Sequence, residues 1–244
     1  YHRYEDRADA VRKTLDRREA LEGADFVINT ALAANHQRLR EGWDIARKHG
    51  YRLGGSYHVM YDEAFWINFY QFKLFESLTE DMLDICPDAW HLMVANPVIS
   101  GVTHLQRKYP EAKVVGLCHG YADVYNVARA LGLEKEHITY QVAGVNHHLW
   151  LTDFYYQGEN AFPLIDRWIA EKSEAAWADG RCWPFTKKRI DLYRKYGVFP
   201  VGDTASWSGA SWPWPYHSDD AVEEAWGERP MDGWNGYFRD VEKG

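Results

Sequence analysis

The sequence predicts an α/β protein built on a parallel sheet. Three short apolar runs, at 24–30, 90–95 and 113–117, alternate with helix-compatible stretches at the spacing of strand–helix–strand units. Each run also ends in chemically loaded residues: Asn29-Thr30, Asn96-Pro97 and Cys118-His119. Ligands of parallel sheets bind at the carboxyl ends of the strands, so these ends are where a site is expected.

Residues through about Glu22 are polar and helix-compatible, with Asp16 placed to cap Arg17–Leu21 and Gly23 to stop the turn. Ala24–Thr30 is nearly all apolar, as in a strand buried on both faces. His36–His49 reads as a helix ended by Gly50, and Gly54-Gly55-Ser56 as a turn. From about Met60 to Ile85, Phe65, Phe69, Phe72, Phe75, Leu78 and Met82 recur at helical spacing. Cys86-Pro87 closes that helix, because proline disfavours a helical residue before it. Trp90–Ala95 is the second strand, a short helix spans 101–108, and Lys113–Leu117 is the third strand. A helix at 122–131 follows.

From about residue 137 the pattern changes. Strand-like segments at 137–145 and 150–156 precede helices near 162–177 and 184–196, and the tail from Pro200 is rich in Gly, Pro and Trp. The expected division is therefore 1–136 and 137–244. No internal repeat or low-complexity tract is present.

The 244 residues suffice for one large or two small domains, and 46% hydrophobic with 26% charged is ordinary for a globular protein. A net charge of −8 and no dense Lys/Arg cluster argue against nucleic acid and against an anionic membrane. No apolar run approaches the ~20 residues of a membrane span. The first residues lack a secretory pattern, and three scattered cysteines, Cys86, Cys118 and Cys182, form no disulfide framework, so a cytoplasmic location is expected. Twelve Trp and sixteen Tyr stand out. Aromatic faces stack on sugar rings, although a Trp-rich core or subunit interface explains the same composition.

Cys118-His119 and His147-His148 offer soft and borderline donors for a divalent metal. Their separation matches no zinc-finger spacing, and buried Cys and His are more often core. An Asn96 amide at a strand end can donate and accept, which suits a sugar hydroxyl or a nicotinamide ribose, or simply starts a turn. Asp203, in Gly202-Asp203-Thr204, and Asp62, near the start of a long helix, are either exposed carboxylates or capping residues.

Taken in order, Phe26-Val27-Ile28-Asn29-Thr30, Ala95-Asn96-Pro97, Gly116-Leu117-Cys118-His119-Gly120, Ala143-Gly144-Val145-Asn146-His147 and Val201-Gly202-Asp203-Thr204 resemble the motif series of glycoside hydrolase family 4. The resemblance runs over nearly the whole chain and is nearest to the Thermotoga-type α-glucosidases. It implies a Rossmann-like domain of the lactate and malate dehydrogenase kind, then a mixed α/β substrate domain. It implies NAD and Mn²⁺ as cofactors, with Cys118 and His147 as metal ligands. Asn96, Asp62 and Asn146 would contact the sugar, and Asn29 and Thr30 would lie along NAD. Asp203 would be the base and His119 the leaving-group acid. The implied reaction is hydrolysis of an α-glucoside by C3 oxidation, C2 deprotonation and elimination, a departure from the two-carboxylate scheme of most glycosidases.

The family's Gly-rich pyrophosphate turn and its closing helices are not found in this sequence, so the chain is expected to be an internal fragment of a homo-oligomeric enzyme, inactive alone. Alternatives within the family are an α-galactosidase or an α-glucuronidase. Outside it, a hydroxyacid dehydrogenase would need an arginine clamp for a carboxylate, and a carbohydrate-binding module would rest on the Trp-rich tail.

Overall fold

The computed structural model describes residues 11–33, 40–42, 44–45, 48–50, 66–180, 182–205, 214–228, 235–236 and 239–240. Contacts group them into two compact units. The first holds the described residues up to Ala33 with Gln71–Leu117; the second holds those from Arg40 to Tyr70 with Cys118 onward.

The first unit is α1 (Arg17–Leu21), β1 (Phe26–Asn29), the larger part of α2 (Trp66–Ile85), β2 (Trp90–Met93), α3 (Val98–Lys108) and β3 (Lys113–Gly116). The strands form a parallel sheet in the order β1-β2-β3, with Phe26 opposite Trp90 and Trp90 opposite Lys113. Parallel neighbours joined through helices make a Rossmann-like arrangement. Asp16 caps α1, its carboxylate accepting from the Arg18 N–H at 2.9 Å and the Glu19 N–H at 3.3 Å. Phe75, Leu78 and Met82 are the buried stripe of α2, and Phe75 packs with Met93, Leu105 and Val114 between helices and sheet. Each such side chain contributes roughly 1.5–3 kcal/mol by leaving water.

The expectation of a first strand buried on both faces does not hold. Phe26 and Ile28 are 64% and 65% exposed. They point to the face opposite Val27 and Asn29, and among the described residues β1 is the end strand of the sheet. An apolar run shows that a strand forms but not how many layers cover it.

The second unit contains α4 (Val124–Ala130), β4 (Ile138–Val145), β5 (His148–Tyr156), β6 (Glu159–Asn160), α5 (Phe162–Ala178), α6 (Lys187–Tyr196), β7 (Phe199–Val201) and α7 (Asp220–Trp226). Its sheet is antiparallel: β4 runs along one edge of β5, and β6 and β7 pair with the other. Leu151, Phe154, Ile165, Phe185, Ile190 and Phe199 form an apolar core between this sheet and the helices. Gln157 and Gly158, both at positive φ, make the two-residue turn between β5 and β6. Thr186 caps α6 by accepting from the Arg189 N–H at 3.3 Å, and Gly197 closes it at φ 72°. β7 was not expected from a Pro-containing tail. Pro200 is tolerated there because, among the described residues, β7 pairs on one side only, with β5.

The segment 214–228 is tied to α6 by buried charge. Lys188 Nζ lies 2.6 Å from Glu228 Oε2 and 3.0 Å from His217 Nε2. Burial pushes the Glu228 carboxyl up to about 7 and the Lys188 ammonium down. Among the described residues no helix is long and apolar enough to cross a membrane.

Candidate active site

In the first unit, Asn29 closes β1. Its main-chain carbonyl accepts from the N–H groups of Val94 and Ala95, at 3.0 and 2.8 Å, and its side-chain Oδ1 accepts from the Ala31 N–H at 3.1 Å. Asn29 Nδ2 is buried and has no hydrogen-bond partner among the described residues. Gln71 of α2 brackets the loop after β1, donating to the Ala31 carbonyl and accepting from the Ala33 N–H, both at 2.8 Å. Thr30 and Asn96 are exposed on the loops after β1 and β2. Asp62, another expected sugar contact, lies outside the described residues.

The second unit brings three loops together. The first, Cys118-His119-Gly120, leads into a 3₁₀ turn at His119–Asp123. The second is the Asn146-His147 turn joining β4 to β5, and the third is the 3₁₀ turn Gly202–Ala205 after β7. Cys118 Sγ is 3.7 Å from His147 Nε2, and Asp203 Oδ2 is 3.5 Å from the same nitrogen. A thiol, an imidazole and a carboxylate thus meet at one atom. His119 is exposed and Asn146 half-buried beside this cluster in sequence.

Backbone geometry builds the meeting point. His147 has φ 59°, a left-handed conformation that β-branched residues shun and His tolerates. Gly144, two residues before the turn, has φ 127°, and a Cβ there would meet the His148 carbonyl oxygen at 2.0 Å, so no side chain fits. Gly120 and Gly202 pack main chain to main chain. A Cβ on Gly202, itself at φ 61°, would sit 2.7 Å from the Gly120 Cα. This contact brings the Cys118 and Asp203 loops side by side.

Polar groups then lock the loops. Thr204 Oγ1 accepts from the Leu149 N–H at 2.6 Å and donates to the Leu149 carbonyl at 2.9 Å, stitching the third loop to β5. Asp123 Oδ2 accepts from the Gly202 N–H at 3.0 Å and from Arg189 Nη1 at 2.6 Å. Sequence reasoning missed both Asp123 and Arg189. They lie 66 residues apart with no motif between them, and only folding pairs them.

Burial pushes the Cys118 thiol pKa up, the Gly120 N–H opposes that rise, and the Asp203 charge adds to it. The donor set suits a divalent ion. A thiol and an imidazole nitrogen 3.7 Å apart are close enough for one ion to be shared between them. Among the described residues, however, no three His, Cys, Asp or Glu side chains close into a metal-holding group by themselves. A separate cleft of about 640 Å³ is lined by Trp177, Cys182, Trp183, Lys187 and Trp226. None of the residues of the three-loop cluster borders it.

Fold and site together define an α/β protein with a Rossmann-like sheet and a thiol–imidazole–carboxylate centre in the mixed unit that follows. The chain belongs to glycosyl hydrolase family 4: the Family 4 glycosyl hydrolase model matches residues 3–133, and the model of the family's C-terminal domain matches 142–240. Among similar curated proteins, the α-galactosidase of Bacillus subtilis strain 168 is 26% identical over 200 residues, covering 78% of this chain and 42% of that protein. The α-glucosidase of Erwinia rhapontici is 29% identical over 173 residues, covering 65% and 36%. An α-galacturonidase of Thermoanaerobacter italicus is 26% identical, covering 74% and 42%. The chain spans about two fifths of the length of these relatives. A solved 6-phospho-α-glucosidase from gut microorganisms, in complex with NAD and Mn²⁺, superposes with a TM-score of 0.63 at 20% identity, covering 87% of this chain and 50% of that one.

Proposed function

We propose that this chain carries the reaction centre of an NAD- and manganese-dependent glycosidase that hydrolyses an unphosphorylated α-glycoside, with an α-glucoside as the leading substrate. The observation that carries the reading is the convergence of Cys118 Sγ and Asp203 Oδ2 on His147 Nε2. When bound, NAD supplies a reversible hydride acceptor and Mn²⁺ a Lewis acid for the sugar hydroxyls.

The chain's own residues then divide the work. Cys118 and His147 would hold the metal, the thiolate contributing one negative charge. Asp203, one-third exposed beside that pair, takes the C2 proton, which becomes acidic once C3 is a ketone. His119, exposed on the same loop as Cys118, protonates the departing glycosidic oxygen. Asn146, next to His147 in the same turn, contacts the sugar. Asn29 and Thr30 lie along the dinucleotide, and the uncommitted Asn29 Nδ2 is a donor that fits such a ligand. The division of labour between cofactor and substrate parts falls near residue 136, a reading supported by family matches that end at 133 and resume at 142.

Two further substrate classes, α-galactosides and α-galacturonides, are favoured by a specific observation. The relatives named as α-galactosidase and α-galacturonidase cover more of this chain than the α-glucosidase does, 78% and 74% against 65%. The test is hydrolysis of aryl α-glucoside, α-galactoside and α-galacturonide by the full-length protein in D₂O with Mn²⁺, NAD⁺ and a thiol reductant. Deuterium at C2 of the released sugar, absent without NAD⁺ or Mn²⁺, is expected for one of the three. Hydrolysis that persists without either cofactor would sink the mechanism.

A further inference from the structure

Arg189 is fully buried and Asp123 is 6% exposed, and their ion pair spans 2.6 Å. Burying two charges costs several kcal/mol, and an apolar pair of similar volume often does as well for stability. What an apolar pair cannot do is grip peptide groups. The Arg189 Nη2 donates to the Gly202 carbonyl at 2.6 Å, Nε to the Ala205 carbonyl at 3.3 Å, and Nη1 to the Pro184 carbonyl at 3.4 Å as well as to Asp123. Asp123 meanwhile accepts from the Gly202 N–H. The turn carrying Asp203 is therefore held at both ends, by the N–H and C=O of Gly202 and by the C=O of Ala205. The Trp183 ring lies against the guanidinium, 4.0 Å from its carbon, and restricts its rotation.

We propose that Arg189 and Asp123 are positioning residues for the Asp203 carboxylate. Their strut sets where the turn presents that carboxylate, and so governs the proton-removal step while leaving substrate and metal affinity in place. This rests on the reading of Asp203 as the C2 base. A planar fork serves here and an ammonium does not, because only the guanidinium has donors in fixed directions for carbonyls on both sides of the turn.

The test uses full-length protein carrying Arg189→Lys, or Asp123→Asn, which keeps size and one acceptor. Hydrogen exchange of the peptide spanning 199–205 is expected to rise about tenfold or more in each variant, with α5 peptides unchanged. Mn²⁺ affinity, read from the free-ion resonance signal, is expected to hold within about threefold, while kcat falls roughly 10–100-fold at nearly constant KM. Combined with Asp203→Asn, either strut variant is expected to be no slower than Asp203→Asn alone. Losses that multiply in the double variant, or turnover within about twofold of the parent in Asp123→Asn, would overturn the proposal. If Arg189→Lys does not fold, Asp123→Asn decides. A fully active Asp203→Asn variant overturns the base assignment instead, and unchanged exchange across 199–205 overturns the strut itself.

Discussion

Two loops at strand ends are held by one long side chain each, and the two side chains differ in charge. In the first unit Gln71 takes one carbonyl and one N–H of the loop after β1, with no formal charge involved. In the second unit Arg189 takes the carbonyls at both ends of the Gly202–Ala205 turn and needs Asp123 to neutralise it. A neutral amide gives a modest, local restraint that a ligand's own hydrogen bonds can rival. A buried guanidinium must be fully satisfied to be tolerated, so the geometry around it is stringent. The proposed cofactor loop is thus held gently and the proposed chemical loop tightly.

The largest expected effect probes the tight loop. Gly202→Ala forces a side chain at φ 61° into the Gly120 main chain, where the nearest atoms are 2.7–3.0 Å away and none is a flexible tip. The αL position alone costs about 1 kcal/mol and the backbone overlap more, so a loss of about 3 kcal/mol or greater is expected in urea unfolding. A loss under about 1 kcal/mol would mean that the turn can shift and that its stringency is overstated.

The next effect is an acid sensitivity seated in the first unit. His91 in β2 is buried, with Nδ1 3.5 Å from Thr79 Oγ1, and burial pushes its imidazole down to about 4 from 6.5. Between those values the unfolded chain binds a proton that the folded chain excludes, so stability falls as pH drops through that window. At pH 5 the penalty is about 2 kcal/mol relative to pH 7. His91→Gln should flatten that part of the stability profile. An unchanged profile would move the acid sensitivity elsewhere.

The smallest expected effect tests the gentle loop. Gln71→Met removes two hydrogen bonds from the loop after β1 and should cost about 1–2 kcal/mol, measured by the same unfolding. A cost as large as that of Gly202→Ala would erase the distinction between the two restraints.

The sequence made the α/β class readable because short apolar runs ending in Asn29, Asn96 and Cys118 have few other uses. It also singled out Cys118, His147 and Asp203, which the fold gathers around one nitrogen. It could not reveal why they meet. The left-handed His147, the Gly120–Gly202 contact and the Asp123–Arg189 pair are products of long-range packing, and single charged residues look alike on a surface or in a core. β7 was hidden by Pro200, whose missing N–H is harmless because, among the described residues, only β5 pairs with β7.

The asymmetry of the glycine contact matters to anyone redesigning this centre. A methyl on Gly202 strikes main chain, whereas a methyl on Gly120 first strikes the end of the Leu149 side chain, at 2.9 Å. Position 202 should therefore be left out of a combinatorial library altogether. Position 120 can be opened to Ala or Ser, provided residue 149 is randomised with it toward smaller side chains. The two codons form one designable unit, and the third is fixed by the shape of the backbone.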